Sequence, residues 1–318
     1  MKTVKRFLRY STASLVLLSA FTAIALAQAP LRLPRPSQKA SAMQTVGVTD
    51  ITITYSRPGV KGRKIWGDAP AGAAPGTATL DDARARAKDA PLVPFGRVWR
   101  TGANEATMFE VSDGVLINGQ PLAAGRYSLH TIPARDGEWT IIFNSDAGQW
   151  GSFTYDEKKD VLRVKAKPQM VADNQEWLMF NLDPITENSA QVNIRWEKVN
   201  VPFTVEVKDV KALALEKARA SLAAAKPDDW QIRAQAANFA LQNKLSADEA
   251  MQWLDQSIKI RETFNNLGLK ARTLAEQGKT AEAIVLGEKA IQLGKAANAN
   301  AQALADMEKR VAEWKSKM

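Results

Sequence analysis

Residues 201–225 read VPFTVEVKDVKALALEKARASLAAA, and the spacing of their apolar side chains changes partway through. Val201, Phe203, Val205 and Val207 alternate with Pro202, Thr204 and Glu206. That period of two places one face of a strand against a core. From Lys211 to Ala225 the chain becomes Ala-rich with a period near 3.6, and it stops before Pro227, as a helix does. The stretch therefore divides the chain into two parts. It predicts an α+β protein, with an antiparallel β-sandwich or jelly roll followed by α-helical hairpins.

Working upstream, Ile51, Ile53 and Tyr55 alternate with Thr52 and Thr54, the pattern of a half-buried strand. Thr107–Val111, Val115–Ile117, Arg126–Thr131, Trp139–Asn144, Asp160–Ala166, Trp177–Leu182 and Ala190–Glu197 also read as strands. Asn118-Gly119, Asp136-Gly137 and Glu187-Asn188 supply turns between them. About nine short strands without intervening helices argue for two packed sheets. The β part is expected to span 45–208, preceded by a linker or arm at 28–44 rich in Pro, Ser and Gln. Gly67–Ala90, rich in Ala, Pro and Gly, reads as a surface excursion with a short helix at Leu80–Lys88.

Downstream, the helical pattern spans 209–318. Trp230–Gln242 with Ala247–Ile260, and Phe264–Gln277 with Thr280–Leu293, form two self-similar pairs. Ala237 and Ala271 are 34 residues apart, and Ala250 and Ala283 are 33 apart. This period resembles tetratricopeptide repeats, although Leu267, Leu274 and Gly287 stand where larger aromatics are expected. Ala301–Lys315 would be a terminal capping helix. Such a repeat tail implies a protein partner docking through residues 230–294.

The chain has 318 residues and a net charge of +9. Lys2, Lys5, Arg6 and Arg9 precede an apolar run, Ala13–Leu26, and a small-x-small signal at Ala25-Leu26-Ala27. Residues 1–27 thus read as a secretory signal peptide. The run is too short for a membrane anchor, and no later stretch would span a bilayer. The expected location is periplasmic or secreted. Without the signal peptide, 39 Lys and Arg face 34 Asp and Glu, a net charge of +5, which argues against nucleic acid as a partner. Zero cysteines exclude disulfides, thiolate nucleophiles and zinc–sulfur sites. No ligand spacing for a metal and no cofactor motif is present.

Unusual chemistry concentrates in four blocks. Ser56–Gly67 holds Arg57, Lys61, Arg63 and Lys64 and ends at Trp66. Phe95–Thr107, reading FGRVWRTGANEAT, holds Trp99, Arg100, Asn104 and Glu105. Tyr127–Pro133 carries His130, the only histidine. Asn144–Phe153 carries Asp146, Gln149 and Trp150. Two arrangements follow for the Phe95–Thr107 loop. In one, Trp99 fills the core while Arg100 pairs with Glu105 beneath the loop. In the other, Arg57, Lys61, Arg63, Arg100, Asn104 and Glu105 converge at one end of the sandwich, with Trp66 or Trp150 as a stacking platform. Arg suits a carboxylate or phosphate, and Trp suits a sugar face. Glu105 and His130 are the candidate acid/base pair. Ser128 or Ser152 with Asp146 could complete a triad, but no G-x-S-x-G elbow supports one.

The motifs YSRPGVKGRKIWG, LVPFGRVWRTGANEAT, AGRYSLHTIP, WTIIFN and QWGSFTYDEKKD resemble those of the family called domain of unknown function 2911, across Ser37–Val207. The resemblance implies an exported bacterial β-domain, often with a helical extension, and brings no catalytic assignments. In that family the chain passes almost directly from the Trp66-Gly67 position to LVPFG, so the intervening residues here lengthen a loop. The leading expectation is a non-enzymatic binding module: a small polar or anionic ligand in the β part, and a protein docked by the tail. The alternatives are an envelope hydrolase of polysaccharide or ester using Glu105 and His130, and a purely structural envelope protein.

Overall fold

The computed structural model describes residues 33–70 and 89–318, and the expected signal peptide and Leu80–Lys88 helix fall outside them. Twelve strands form three sheets among these residues. The first sheet has the order β1-β2-β5-β8-β9-β10, antiparallel throughout. Its strands are β1 (Gln38–Val46), β2 (Thr49–Arg57), β5 (Thr107–Val111), β8 (Gly125–Ile132), β9 (Trp139–Asn144) and β10 (Asp160–Ala166). The second has the order β11-β12-β6-β7, with β6 (Val115–Ile117), β7 (Gln120–Leu122), β11 (Gln169–Thr186) and β12 (Ser189–Glu206). A small parallel pair, β3 (Trp66–Gly67) and β4 (Val93–Pro94), ties together the two ends of the expected excursion.

The chain enters its first sheet at Gln38, earlier than the expected start at Thr45. β1 pairs with β2 along its whole length, from Gln38↔Arg57 to Val46↔Thr49. Its side chains are mostly exposed, so backbone pairing holds this strand rather than an apolar face, and composition gave no sign of it. Ala190–Glu197 and Val201–Val207, expected as two strands, belong to the single long β12. The two large sheets bury one core between them. Within it Trp66 meets Trp99, Trp139 and Trp196 edge-on, with ring centroids 4.9–5.8 Å apart, and Trp99 stacks on Trp196.

Six helices follow: α1 (Val210–Ala224), α2 (Trp230–Gln242), α3 (Ala247–Ile260), α4 (Phe264–Glu276), α5 (Thr280–Ala296) and α6 (Ala301–Ser316). Asp209, Asp229 and Asn300 cap α1, α2 and α6 by accepting from N3 amides, and Thr263 with Asn266 forms a reciprocal capping box on α4. α1 joins the two parts. Val210 and Leu213 pack on the β core, while Leu215, Ala218 and Leu222 pack into a separate helical core. Gly47 has φ +61, and a Cβ there would lie 2.4 Å from a Val210 methyl, so the β1–β2 turn requires glycine for α1 to seat. Lys217 donates to Asp113 at 2.8 Å and to the Val48 carbonyl at 3.0 Å. Burial alone would raise the Asp113 carboxyl, but bonds from Lys217 and Ser112 help to outweigh it and hold the group below its ordinary range. The change of period near Lys208 is thus a docked joint rather than a free linker.

Candidate functional site

β8 alternates strictly. Tyr127 and Leu129 enter the core between the sheets, so Ser128 and His130 lie on the opposite face. On β9 their neighbours are Asn144, opposite Ser128, and Ile142, opposite His130. This face would meet water, yet Ser128, His130, Ile142 and Asn144 are all fully buried. The chain after β9 folds back over them. Gln149 O accepts from Ala106 N at 2.9 Å, Gly151 N donates to Asn104 O at 2.9 Å, and Glu105 pairs across from Trp150. Two of the four blocks singled out in the sequence therefore meet, strand-like, as a cover on the outer face of the first sheet.

Beneath the cover lies a connected polar network. His130 Nε2 is 3.1 Å from Ser128 Oγ, and Nδ1 is 3.3 Å from Ser152 Oγ. Gln149 Nε2 donates to Ser128 Oγ, to Asn144 Oδ1 and to the Asp146 carbonyl. Asn144 Nδ2 donates to the Asp156 carbonyl and to Asp160 Oδ1 at 2.7 Å. Asp160 Oδ2 also accepts from Tyr155 Oη at 2.6 Å and from Arg163 Nε at 2.7 Å. With Gln149 donating to Ser128, the Ser128 hydroxyl is free to donate to Nε2. That order places the imidazole proton on Nδ1, facing Ser152. Burial pushes the His130 pKa down to about 4. Asp160 and Asp146 oppose that shift, and the Arg100 charge adds to it. Burial, and then the Asp160 carboxylate, push the Tyr155 hydroxyl up.

A serine hydroxyl on a histidine nitrogen is the contact of an activated nucleophile. Here Ser128 is 0% exposed and Ser152 is 1% exposed, and the imidazolium such chemistry must form is disfavoured. Both ring nitrogens of His130 face serines, so an acid/base pair with Glu105 would require the ring to abandon them. The geometry instead fastens the cover to the sheet. Beside the cover, an open groove of about 210 Å³ is lined by Lys39, Thr54, Ser56, Glu105, Arg126 and Gln149, among others. Gln149 belongs to both groove and network. It is 4% exposed, and its Oε1 has no hydrogen-bond partner among the described residues.

The expected site residues divide between several places. Glu105 lines the groove, Trp150 stands on the cover with 54% exposure, and Asn104 donates to the Ser37 carbonyl at 3.2 Å. Arg100 is buried near His130. Arg57 turns away, donating to the Leu178 carbonyl at 2.8 Å. Lys61 binds Glu176 through its backbone amide and lies over Trp177 with its ammonium, while Arg63 bonds carbonyls of its own loop. The cationic block thus clasps β11. Trp66 is half-buried, meets three tryptophans edge-on, and does not line the groove. Sequence reasoning did not select Lys39 or Arg126, and it named Gln149 only within the Asn144–Phe153 block, without a role in the site. Ser128 and His130 were recognisable as sharing one face by their i, i+2 spacing, but the residues that cover them were not.

An antiparallel two-sheet β fold with a polar, loop-covered face and a helical extension is the class defined by these features. The chain belongs to the family described as "Protein of unknown function (DUF2911)", whose model matches residues 37–205, more than half of its length. Comparison with curated proteins and with solved structures gives no match. No helix among the described residues is long and apolar enough to cross a membrane.

Proposed function

We propose that the chain is an exported binding module. The groove beside the cover takes a small polar ligand, and the helices dock a protein partner within residues 230–294 in the manner of a repeat tail. The observation that carries the first half is Gln149. Its buried Oε1 lacks a partner at the edge of an open groove. A buried acceptor left unmade costs about 1–3 kcal/mol, which a ligand N–H or O–H donor can recover. Lys39, Arg126 and Glu105 supply both signs of charge, and exposed Trp150 supplies an aromatic face on the adjoining loop. The network under the cover holds Gln149 in place, so the groove is organised before a ligand arrives.

The test is a thermal-shift screen of the full chain against neutral sugars, amino acids and small anions. A ligand of this groove raises Tm in the wild type and does so much less in Gln149→Ala and Glu105→Gln. A panel with no stabilising compound, or one whose shifts survive both substitutions, overturns the groove as the site.

A further inference from the structure

A second open cavity is in the helical part. It is a groove of about 370 Å³ between α2 and α4, walled by Trp230 and Phe264 and lined by Gln235, Asn238, Asn265 and Arg272. Ser257 Oγ donates to the Trp230 carbonyl at 2.8 Å and receives Asn266 Nδ2 at 3.1 Å. Both helices therefore start at the same end of the groove, where the two aromatics stand. Arg272 lies two turns further along α4 from Phe264. It makes no hydrogen bond or ion pair among the described residues. Burial and then the charge of Arg310 on α6 push its guanidinium below the ordinary range, and Glu276 opposes them only in part. Arg261, over the Trp230 ring at 5.5 Å, adds a third cation near the aromatic end.

We propose that this groove binds an extended acidic peptide segment of a partner protein, with an apolar side chain between Trp230 and Phe264 and a carboxylate on Arg272. The inference rests on the reading of the helical part as a protein-docking tail and names what that tail selects. Two features favour a peptide over a small anion. Gln235 and Asn238 are on one face of α2, with Gln231 a turn earlier, and each amide can both donate to and accept from a peptide group. Their spacing of about 5 Å per turn is near the ~6.6 Å repeat of alternate residues in an extended chain. The second feature is length. Phe264 to Arg272 covers about 12 Å along the helix axis, which three to four extended residues bridge. The preferred segment therefore carries Asp or Glu three or four positions from an aromatic or leucine. The acid neutralises a partly dehydrated guanidinium that the fold leaves facing another arginine, and planar carboxylate geometry suits its fork.

The experiment uses the full chain and three pools of fluorescein-labelled eight-residue peptides with blocked ends. Each pool has a fixed Phe and, three or four residues away, Asp/Glu, Asn/Gln or Lys/Arg, all other positions being random. Anisotropy is expected to show the acidic pool binding, more weakly at higher salt. Arg272→Gln should weaken it about tenfold or more, the scale of one lost charge-assisted bond, and Arg272→Lys should fall between. Arg310→Gln, at an exposed position, leaves folding intact and should weaken binding by a smaller factor. If the amide pool binds as well as the acidic one, and Asn238→Ala weakens both, the acid selection is wrong while docking stands. If the acidic pool binds but ignores Arg272→Gln and Arg310→Gln, the carboxylate site lies elsewhere and the proposal is overturned. If no pool binds, the docking reading falls with it.

Discussion

The outer face of β8 and the groove between α2 and α4 use the same residue types in opposite ways. Under the cover, His130, Asn144, Asp160 and their neighbours turn inward and hold one another. In the helical groove, Gln235, Asn238 and Arg272 line open space, and Arg272 faces a second arginine without an ion pair. The chemically dense part of the sequence thus builds an internal fastening, with only its edge left open to a ligand. The bland, Ala-rich part presents the more open polar surface. Density of polar residues in a sequence marks where desolvation has to be compensated. That is a different thing from where a partner can reach.

The largest expected effect breaks the fastened side of this comparison. Asn144→Ala removes a buried amide that bonds Asp160, the Asp156 carbonyl, Asp146 N and Gln149. It leaves several of these groups buried without partners, so about 4 kcal/mol of stability should go. Hydrogen exchange should show the Ser145–Asp156 loop opening first, with α2 and α4 unaffected. Equal loss of protection in the helices would show that the two regions are not independent.

The next concerns pH. The unfolded chain takes up a proton on His130 near its ordinary 6.5, whereas the folded chain does so only at about 4. Between those values the unfolded state binds more protons. Stability from the neutral, buried ring is complete above pH 6.5 and declines as pH falls toward 4, by about 3 kcal/mol in all. His130→Gln should flatten denaturant unfolding profiles across this window. A variant with the wild-type slope would assign the acid lability to carboxylates instead.

The smallest effect sharpens the boundary between the regions. Lys217→Ala removes the bond from α1 to Asp113 and to the Val48 carbonyl. The Lys217 side chain is 40% exposed, so screening limits the loss to about 1 kcal/mol. Val210 and Leu213 should keep α1 seated, and a single unfolding transition should persist. Two separated transitions would mean that the ion pair, rather than the apolar contact, couples the parts.

Much of the fold was legible locally. Thr107–Val111, Trp139–Asn144, Asp160–Ala166, Trp230–Gln242 and Ala247–Ile260 are elements whose ends coincide with the sequence reading. Their apolar periods and bounding turn or cap residues are local signals. β1 was missed because its side chains contribute little to the core, and long-range backbone pairing with β2 defines it. The site was legible as a set of blocks but not as an arrangement. Arg57 and Glu105 occur in similarly polar loops, yet one clasps β11 and the other lines the groove.

The sequence by itself determined the switch from strands to helices near Lys208, the family membership over residues 37–205, and the identity of the blocks rich in polar chemistry. Periodicity and motif order are properties of neighbouring residues, so they survive without coordinates. The tertiary structure decided which way each polar side chain faces. It buried His130 between two serines, surrounded Trp66 with tryptophans, and left Arg272 beside Arg310 in an open groove. Those outcomes depend on which distant segment covers a given face. Ser128 and His130 are buried because the chain after Asn144 folds back over them, whereas Arg272 is only half-buried in the lining of the α2–α4 groove.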